Sequence, residues 1–185
     1  MTLNIEEALP RVTKRIILRR LTVSDLDSFQ AYRRDPEVAR YQGWQTMTDA
    51  EAIAFLTEMN AALPLQSGQW YQLGIARRSD NALIGDIGIC VASSSDQAEI
   101  GFTLSRNFQR KGLGSEAVRE AIAFVWECSE VAQLVGITDA RNLSSIRLLE
   151  RVGMRQRESI ATEFQGEPFV EHVFTLSRHD LSEQD

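Results

Sequence analysis

Apolar and polar positions follow two rhythms along the chain, and the elements are bounded where one gives way to the other. Arg15-Ile-Ile-Leu-Arg-Arg-Leu21 packs apolar residues between charges and predicts a first strand. Ser24-Asp-Leu-Asp27 predicts a helix start, with Ser24 as N-cap and Asp27 in the first turn. Leu26, Phe29, Ala31 and Tyr32 continue it at roughly helical spacing. Asp35-Pro36 opens a short second helix, since the missing N–H of proline costs nothing in a first turn. Thr48-Asp-Ala-Glu51 is a capping box continued by Ile53, Phe55, Leu56 and Met59, and Leu63-Pro64 breaks that helix. The middle then shifts to strands at Trp70 to Ala76, Ala82 to Val91 and Ala98 to Leu104. Turns are expected at Ser79-Asp80-Asn81 and Ser93-Ser94-Ser95. In the third strand Ile100, Phe102 and Leu104 alternate with Glu99, Gly101 and Thr103, and the close spacing of all three predicts an antiparallel meander. From Ser115 to Cys128 the period is helical, with Ala117, Val118, Ala121, Ile122 and Val125 on one stripe. A strand from Gln133 to Thr138 and a helix from Ser144 to Arg151, stopped at Gly153, come next. Strands Met154 to Phe164 and Phe169 to Ser177 close the chain around a turn at Gly166-Glu167. The sum is a β-rich α/β fold whose sheet is mixed, not purely parallel.

At 185 residues the chain matches one domain, expected over 1–185 with a core from about 13 to 178. With 43% apolar and 25% charged residues it has an ordinary globular composition, which excludes disorder as the main state. No apolar run approaches the ~18–20 residues of a membrane span. Met1 to Arg11 mixes Asn4, Glu6, Glu7 and Pro10 with its apolar residues, so no signal-peptide core is expected. The formal charge of −6 argues against general affinity for nucleic acid, whose binding is dominated by phosphate neutralisation. An anionic small ligand stays open, because charges are screened beyond about 8 Å and a local cationic cradle can outweigh the net sign. Cys90, Cys128, His172 and His179 offer no metal-ligand spacing, and a reducing cytoplasm is the expected compartment.

The most informative segment is Leu104-Ser-Arg-Asn-Phe-Gln-Arg-Lys-Gly-Leu-Gly-Ser115. A strand ends, Arg106, Arg110 and Lys111 follow, and Gly112 and Gly114 open an amphipathic helix. A helix start leaves N–H groups unpaired and carries about half a positive charge, and glycines let the backbone approach a phosphate. The chemistry points to a diphosphate or another polyanion, unless the glycines merely make a tight helix entry. A Walker A loop fails, because Lys111 precedes Gly112 where lysine should follow the second glycine. A dinucleotide fingerprint is satisfied by Gly112-Leu-Gly-Ser-Glu-Ala117, with Asp139 near the expected ribose-binding position. Its first glycine, however, should follow the strand directly, and three antiparallel-looking strands precede the motif. A nicotinamide-dependent oxidoreductase therefore remains a rival.

The third loop type fits throughout. Gln109-Arg-Lys-Gly-Leu-Gly114 matches Q/R-x-x-G-x-G/A, and the chain resembles the GNAT acetyltransferase superfamily in its ribosomal-protein N-acetyltransferase-like branch. Supporting segments are Arg15 to Leu21 with Ser24-Asp25, Asp35-Pro36-Glu-Val38, Ile84-Gly85, Glu99-Ile-Gly-Phe102, Gly114-Ser-Glu-Ala-Val118 and Asn142-Leu-Ser-Ser-Ile-Arg-Leu-Leu-Glu-Arg-Val-Gly-Met154. They run in order from about Arg15 to Leu176. The resemblance implies a GNAT-type, mostly antiparallel twisted sheet flanked by helices, and an enzyme that passes acetyl from acetyl-CoA to an amine without a metal. On the same resemblance, the backbone amides of Gln109, Arg110, Lys111, Gly112, Leu113, Gly114 and Ser115 would hold the CoA pyrophosphate. The backbone at Phe102, Thr103 and Leu104 would pair with the pantetheine arm, and an N–H near Leu104 would polarise the thioester carbonyl. Asn142 matches the family asparagine on the CoA arm, and a helix N-cap role is compatible with that.

Transfer to an amine needs a lone pair, so a base must take a proton. Glu99, on the strand that lines the acetyl site in the family, is the candidate; a solvent-facing glutamate is the alternative. The family's usual proton donor to the leaving thiolate is a tyrosine, and none lies between Asn142 and Met154. Ser145 is proposed instead, with water as the substitute and a plain helix-start serine as the alternative. Tyr41 and Trp44, in Tyr41-Gln-Gly-Trp44, stand where the family builds its acceptor wall, unless they simply pack. Glu171 and His172 on the last strand are expected to be structural. The implied partners are acetyl-CoA and an amine, either a protein N-terminal α-amine or a small amine such as an antibiotic or polyamine. No nucleic acid or membrane partner is expected, and a non-catalytic acyl-CoA-binding domain is the remaining rival.

Overall fold

The computed structural model describes residues 5, 7–94, 96–164 and 166–181. The expected turn residue Ser95, and Met1 to Asn4 and Glu6 of the Met1 to Arg11 segment, lie outside these residues. A two-residue strand β1 (Arg11–Val12) pairs with β2 (Ile16–Arg20), the expected first strand. Helices α1 (Leu26–Arg33), α2 (Pro36–Ala39) and α3 (Asp49–Ala61) follow. The meander is β3 (Trp70–Arg77), β4 (Leu83–Val91) and β5 (Gln97–Leu104). Then come α4 (Leu113–Cys128), β6 (Gln133–Asp139), α5 (Leu143–Arg151), β7 (Arg155–Phe164) and β8 (Glu167–Ser177).

The helix starts obey their capping chemistry. Thr48 and Glu51 form the expected box, the Thr48 N–H donating to Glu51 at 2.7 Å. Asp35 accepts from the Glu37 N–H with Pro36 in the first turn. The first helix departs from expectation, because Ser24 lies inside a 3-10 turn that Thr22 caps and Asp25 takes the N-cap position of α1. Both the N–H and the hydroxyl of Thr22 reach Asp25, at 2.9 and 3.1 Å, and a 3-10 turn Val23–Asp25 leads into α1. The earlier start turns Asp25 back onto Arg19, which grips its two oxygens at 2.8 Å each. Burial alone would raise the pKa of Asp25, but Arg19 and Thr22 outweigh it and hold the carboxyl below its usual range.

The sheet has eight strands in the order β1-β2-β3-β4-β5-β6-β8-β7, and β5–β6 is its parallel pair. The neighbouring ladders on both sides are antiparallel, which removes the dinucleotide-fold alternative. Two cores lie on opposite faces. Ile87 and Ile89 pack with Val118, Ala121, Ile122 and Val125 of α4, whereas Asp86, one residue before Ile87 and so on the other face by period-2 alternation, meets Tyr32 of α1. Leu21, Phe29, Leu56 and Met59 fill the α1–α3 side. Period-2 burial fails in part on β5. Phe102 and Leu104 are only half-buried while Thr103 is buried, because Thr103 sits opposite the enclosed Asp86. Among the described residues no helix is long and apolar enough to cross a membrane.

Candidate active site

The site begins where the sheet comes apart. β5 pairs with β4 over seven positions, from Gly85↔Leu104 to Val91↔Ala98, but with β6 over only three, ending at Glu99↔Val135. Beyond that point the two parallel strands diverge. Ser105 donates to the Ile84 carbonyl and Ala92 to the Gln97 carbonyl, both at 2.8 Å, so the odd-numbered residues of β5 exchange hydrogen bonds with β4. Antiparallel alternation then turns the backbone groups of Phe102 and Leu104 toward the gap. Thr103 corrects the expectation: its backbone faces β4, so of the three predicted arm-binding residues two reach the opening. A narrow cavity of about 70 Å³ lies there, lined by Tyr41, Gln42, Phe102, Thr138, Asn142 and Ser145 among others.

At the mouth of the gap stands the glycine-rich loop. Gln109 Nε2 donates to the Leu104 carbonyl at 2.8 Å and ties the loop to the strand end. Arg110 (φ 58°) and Gly112 (φ 76°) are both left-handed. A side chain is strained in that conformation, and such turns arrange successive N–H groups into an anion-binding concavity. α4 starts at Leu113, two residues earlier than expected. The Glu116 N–H already bonds the Gly112 carbonyl. The amides of Leu113, Gly114 and Ser115 precede it in the first turn, where an α-helix has no carbonyl to offer them. The side chains of Leu113 and Ser115 are buried, so these residues present backbone to a ligand. A Cβ at Gly114 would come within 2.9 Å of Leu148, which is why α5 can lie close to α4. Arg110 and Lys111 are exposed, while Arg106 is drawn to Asp35 at 3.4 Å. The loop can therefore hold a diphosphate on its amides, with two cations beside it.

Glu99 occupies the last position before the gap, on the face shared with Cys90 and Gly101. A Cβ on Gly101 would meet nothing within 4 Å, so this face is open next to the carboxyl. Burial, and then the charge of Glu171, push the Glu99 carboxyl above the ordinary glutamate range. That shift strengthens it as a base. Asn142 caps α5, its Oδ1 accepting from the Ser145 N–H at 3.2 Å, and both residues line the cavity. Tyr41 lines it too, its hydroxyl 3.5 Å from the Arg141 carbonyl. Trp44 does not reach the cavity. Its ring lies 4.3 Å from the Arg33 guanidinium, which is buried against Phe29 and stands 3.6 Å from the buried Asp86. A cation enclosed this way draws aromatic faces to it, and Trp44 packs for that reason. Asp139 is committed to Arg141 at 2.6 Å, and His172 Nδ1 shares a 2.9 Å hydrogen bond with Ser159.

Gln42, Ile137 and Thr138 line the cavity without any prior sequence signal. Gln42 follows Tyr41 and could have been found by extending the loop. Ile137 and Thr138 depend on which strand lies beside β5, which local patterning does not encode. A larger cavity of about 560 Å³ opens beside Arg119, Trp126 and Arg151, and no candidate residue lines it.

Comparisons with known proteins agree with this fold. The acetyltransferase (GNAT) domain family matches residues 15–155. The uncharacterised N-acetyltransferase YoaA of Bacillus subtilis (strain 168) is 29% identical over 168 residues, covering 89% of this chain and 94% of the relative. The uncharacterised N-acetyltransferase p20 of Bacillus licheniformis is 29% identical over 174 residues, covering 92% and 97%. Among solved structures, a GNAT-family acetyltransferase from Bacillus anthracis superposes with a TM-score of 0.81 at 17% identity, covering 92% of this chain and 99% of that one. A Vibrio cholerae protein assigned as a ribosomal-protein-serine acetyltransferase superposes at 0.76 with 25% identity, covering 96% and 99%.

Proposed function

The chain belongs to the GNAT acetyltransferase family, and on that premise we propose that it moves acetyl from acetyl-CoA to a primary amine, with a protein N-terminal α-amine as acceptor. The observation that carries this reading is the gap between β5 and β6, with an anion-binding helix start at one end and a carboxylate at the other. Bound acetyl-CoA supplies an activated acetyl thioester. The amides of Lys111 to Ser115, together with Arg110 and Lys111, would hold its pyrophosphate, and the Leu104 N–H would pair with the arm. The Leu104 carbonyl is already taken by Gln109. The Phe102 N–H, deeper in the gap than Leu104, would donate to the thioester carbonyl oxygen and stabilise the charge that develops there.

Glu99 acts as the base. Its carboxylate takes a proton from the incoming ammonium and frees the lone pair that attacks the acetyl carbon. As the C–S bond breaks, the Ser145 hydroxyl, or a water held by it, protonates the sulfur, and the second proton shed by the nitrogen as it becomes an amide restores that hydroxyl. Asn142 keeps Ser145 at the start of α5. The acceptor approaches over Gly101, and Tyr41 forms one wall. The reading of a protein acceptor is supported by the Vibrio cholerae neighbour, assigned as a ribosomal-protein-serine acetyltransferase. It is also supported by apolar Ile137 and Ile160, 41% and 42% exposed on the face that carries Glu99.

A panel of amines, followed by release of free CoA, tests the proposal. Peptides with a free α-amine should be acetylated, and the same peptides with a blocked N-terminus should not. Turnover confined to polyamines or aminoglycoside-type amines would overturn the protein acceptor while leaving the transferase chemistry in place.

A further inference from the structure

The turn joining β1 to β2 is wired into the phosphate-binding loop. Arg15 Nε donates to Glu116 Oε2 at 2.6 Å, and Arg15 Nη1 donates to the Lys111 carbonyl at 2.8 Å. The Thr13 hydroxyl and the Arg15 backbone N–H both reach Glu116 Oε1, at 2.6 and 2.9 Å. A Cβ on Gly112 would stand 3.3 Å from Arg15 Nη2, so the guanidinium lies directly against the loop. Farther along α4, Arg11 bonds Glu120 and Glu127 at 2.5 and 2.8 Å. Alternate residues 11, 13 and 15 thus meet a line of acids on α4.

Two consequences follow for the loop. In a trans peptide the carbonyl and the N–H point in opposite directions. By holding the Lys111 carbonyl, Arg15 aims the Gly112 N–H the other way and fixes a peptide set between two left-handed residues. Glu116, moreover, is an acid in the first turn of the helix that would receive a diphosphate. Unmasked, its charge would oppose the ligand; the Arg15 guanidinium neutralises it.

We infer that Arg15 is a positioning residue for the cofactor: it orients the Lys111–Gly112 peptide and masks Glu116, so that the loop is set for an anion before one arrives. The inference rests on the reading of this loop as the CoA pyrophosphate site. Preorganisation lowers the ordering cost of binding, so the effect falls on affinity and not on the chemical step.

Steady-state kinetics and calorimetry on Arg15→Ala, Arg15→Lys and Arg11→Ala test it. In Arg15→Ala the KM for acetyl-CoA should rise about tenfold, the worth of one charge-assisted hydrogen bond, with kcat within about twofold of the parent. Arg15→Lys keeps a charge but not the fork that spans two acceptors, and should show a rise of about threefold. That variant carries the test if Arg15→Ala does not fold. Arg11→Ala removes a contact on the same face of α4 without touching the loop. It should lower the melting temperature and leave the KM for acetyl-CoA unchanged. An unchanged KM in both Arg15 variants, or an equal rise in Arg11→Ala, overturns the assignment. If the parent protein itself fails to bind acetyl-CoA, the loop reading falls. If the parent binds and Arg15→Ala binds equally well, only the role of Arg15 falls.

Discussion

The proposed phosphate loop and the proposed acceptor face sit at opposite ends of the same gap, and they are built by opposite means. The loop is over-determined. Gln109 ties it to Leu104, Arg15 holds Lys111, Gly112 supplies a left-handed turn, and the first turn of α4 supplies amides. The acceptor face is defined by what is withheld. β6 leaves β5 after Glu99, Gly101 has no side chain, and nothing stands over it within 4 Å. A group common to every catalytic cycle can be met with a rigid backbone cradle, whereas an acceptor is met with an open surface that side chains tune. The difference explains why the cofactor is the firmer deduction of the two.

The strongest way to break this contrast is Gly112→Glu. A side chain at φ 76° is strained, and a carboxylate there would occupy the anion site, so acetyl-CoA binding should vanish in calorimetry while the folded dichroism spectrum persists. Retained affinity in a folded variant would mean that the cradle lies elsewhere. At the other end, Glu99→Gln should lower kcat by about 100-fold and leave the acetyl-CoA dissociation constant near the parent value. A drop in affinity matching the drop in turnover would show that the two ends are not separable.

Ser145→Ala should cost roughly tenfold in kcat, since water can replace a weak acid, and the comparison with Glu99→Gln sharpens which proton matters more. Undiminished turnover would pass the role to water. The smallest effect is on stability. Glu99 has a raised pKa, so the native state holds that proton more tightly than the unfolded chain does. Its contribution to stability is therefore present below the ordinary glutamate range and is lost as pH rises through the native value. Glu99→Gln should accordingly raise the melting temperature at pH 7 but not at pH 4. No gain at pH 7 would indicate a carboxylate without strain.

Much of the local structure at the proposed cofactor end was legible because its determinants are local. Gln109 to Ser115 carry the glycines, the cations and the helix start within seven consecutive residues, and the capping box at Thr48 and the N-cap at Asp35 obeyed the same short-range chemistry. The packing of Trp44 was not legible, since this residue lies in a loop and its partner Arg33 lies on α1, buried by Phe29 and Asp86. Ser24 misled because the competing cap, Thr22, was favoured by an ion pair between Asp25 and Arg19 of the preceding strand. The alternation along β5 could not reveal that Thr103 turns its backbone to β4, because ladder direction depends on the neighbouring strand.

The sequence by itself determined the strand and helix rhythm and a glycine-rich, cationic helix start, through interactions a few residues apart, while the cosubstrate was implied by a resemblance spread along the chain. Tertiary structure alone decided where β5 and β6 part, that Glu99 sits at that parting, and that Arg15 braces the loop from about a hundred positions away. Hydrogen-bond registers between strands and the burial of a charge depend on groups brought together only when the chain folds, and no window of neighbouring residues contains them.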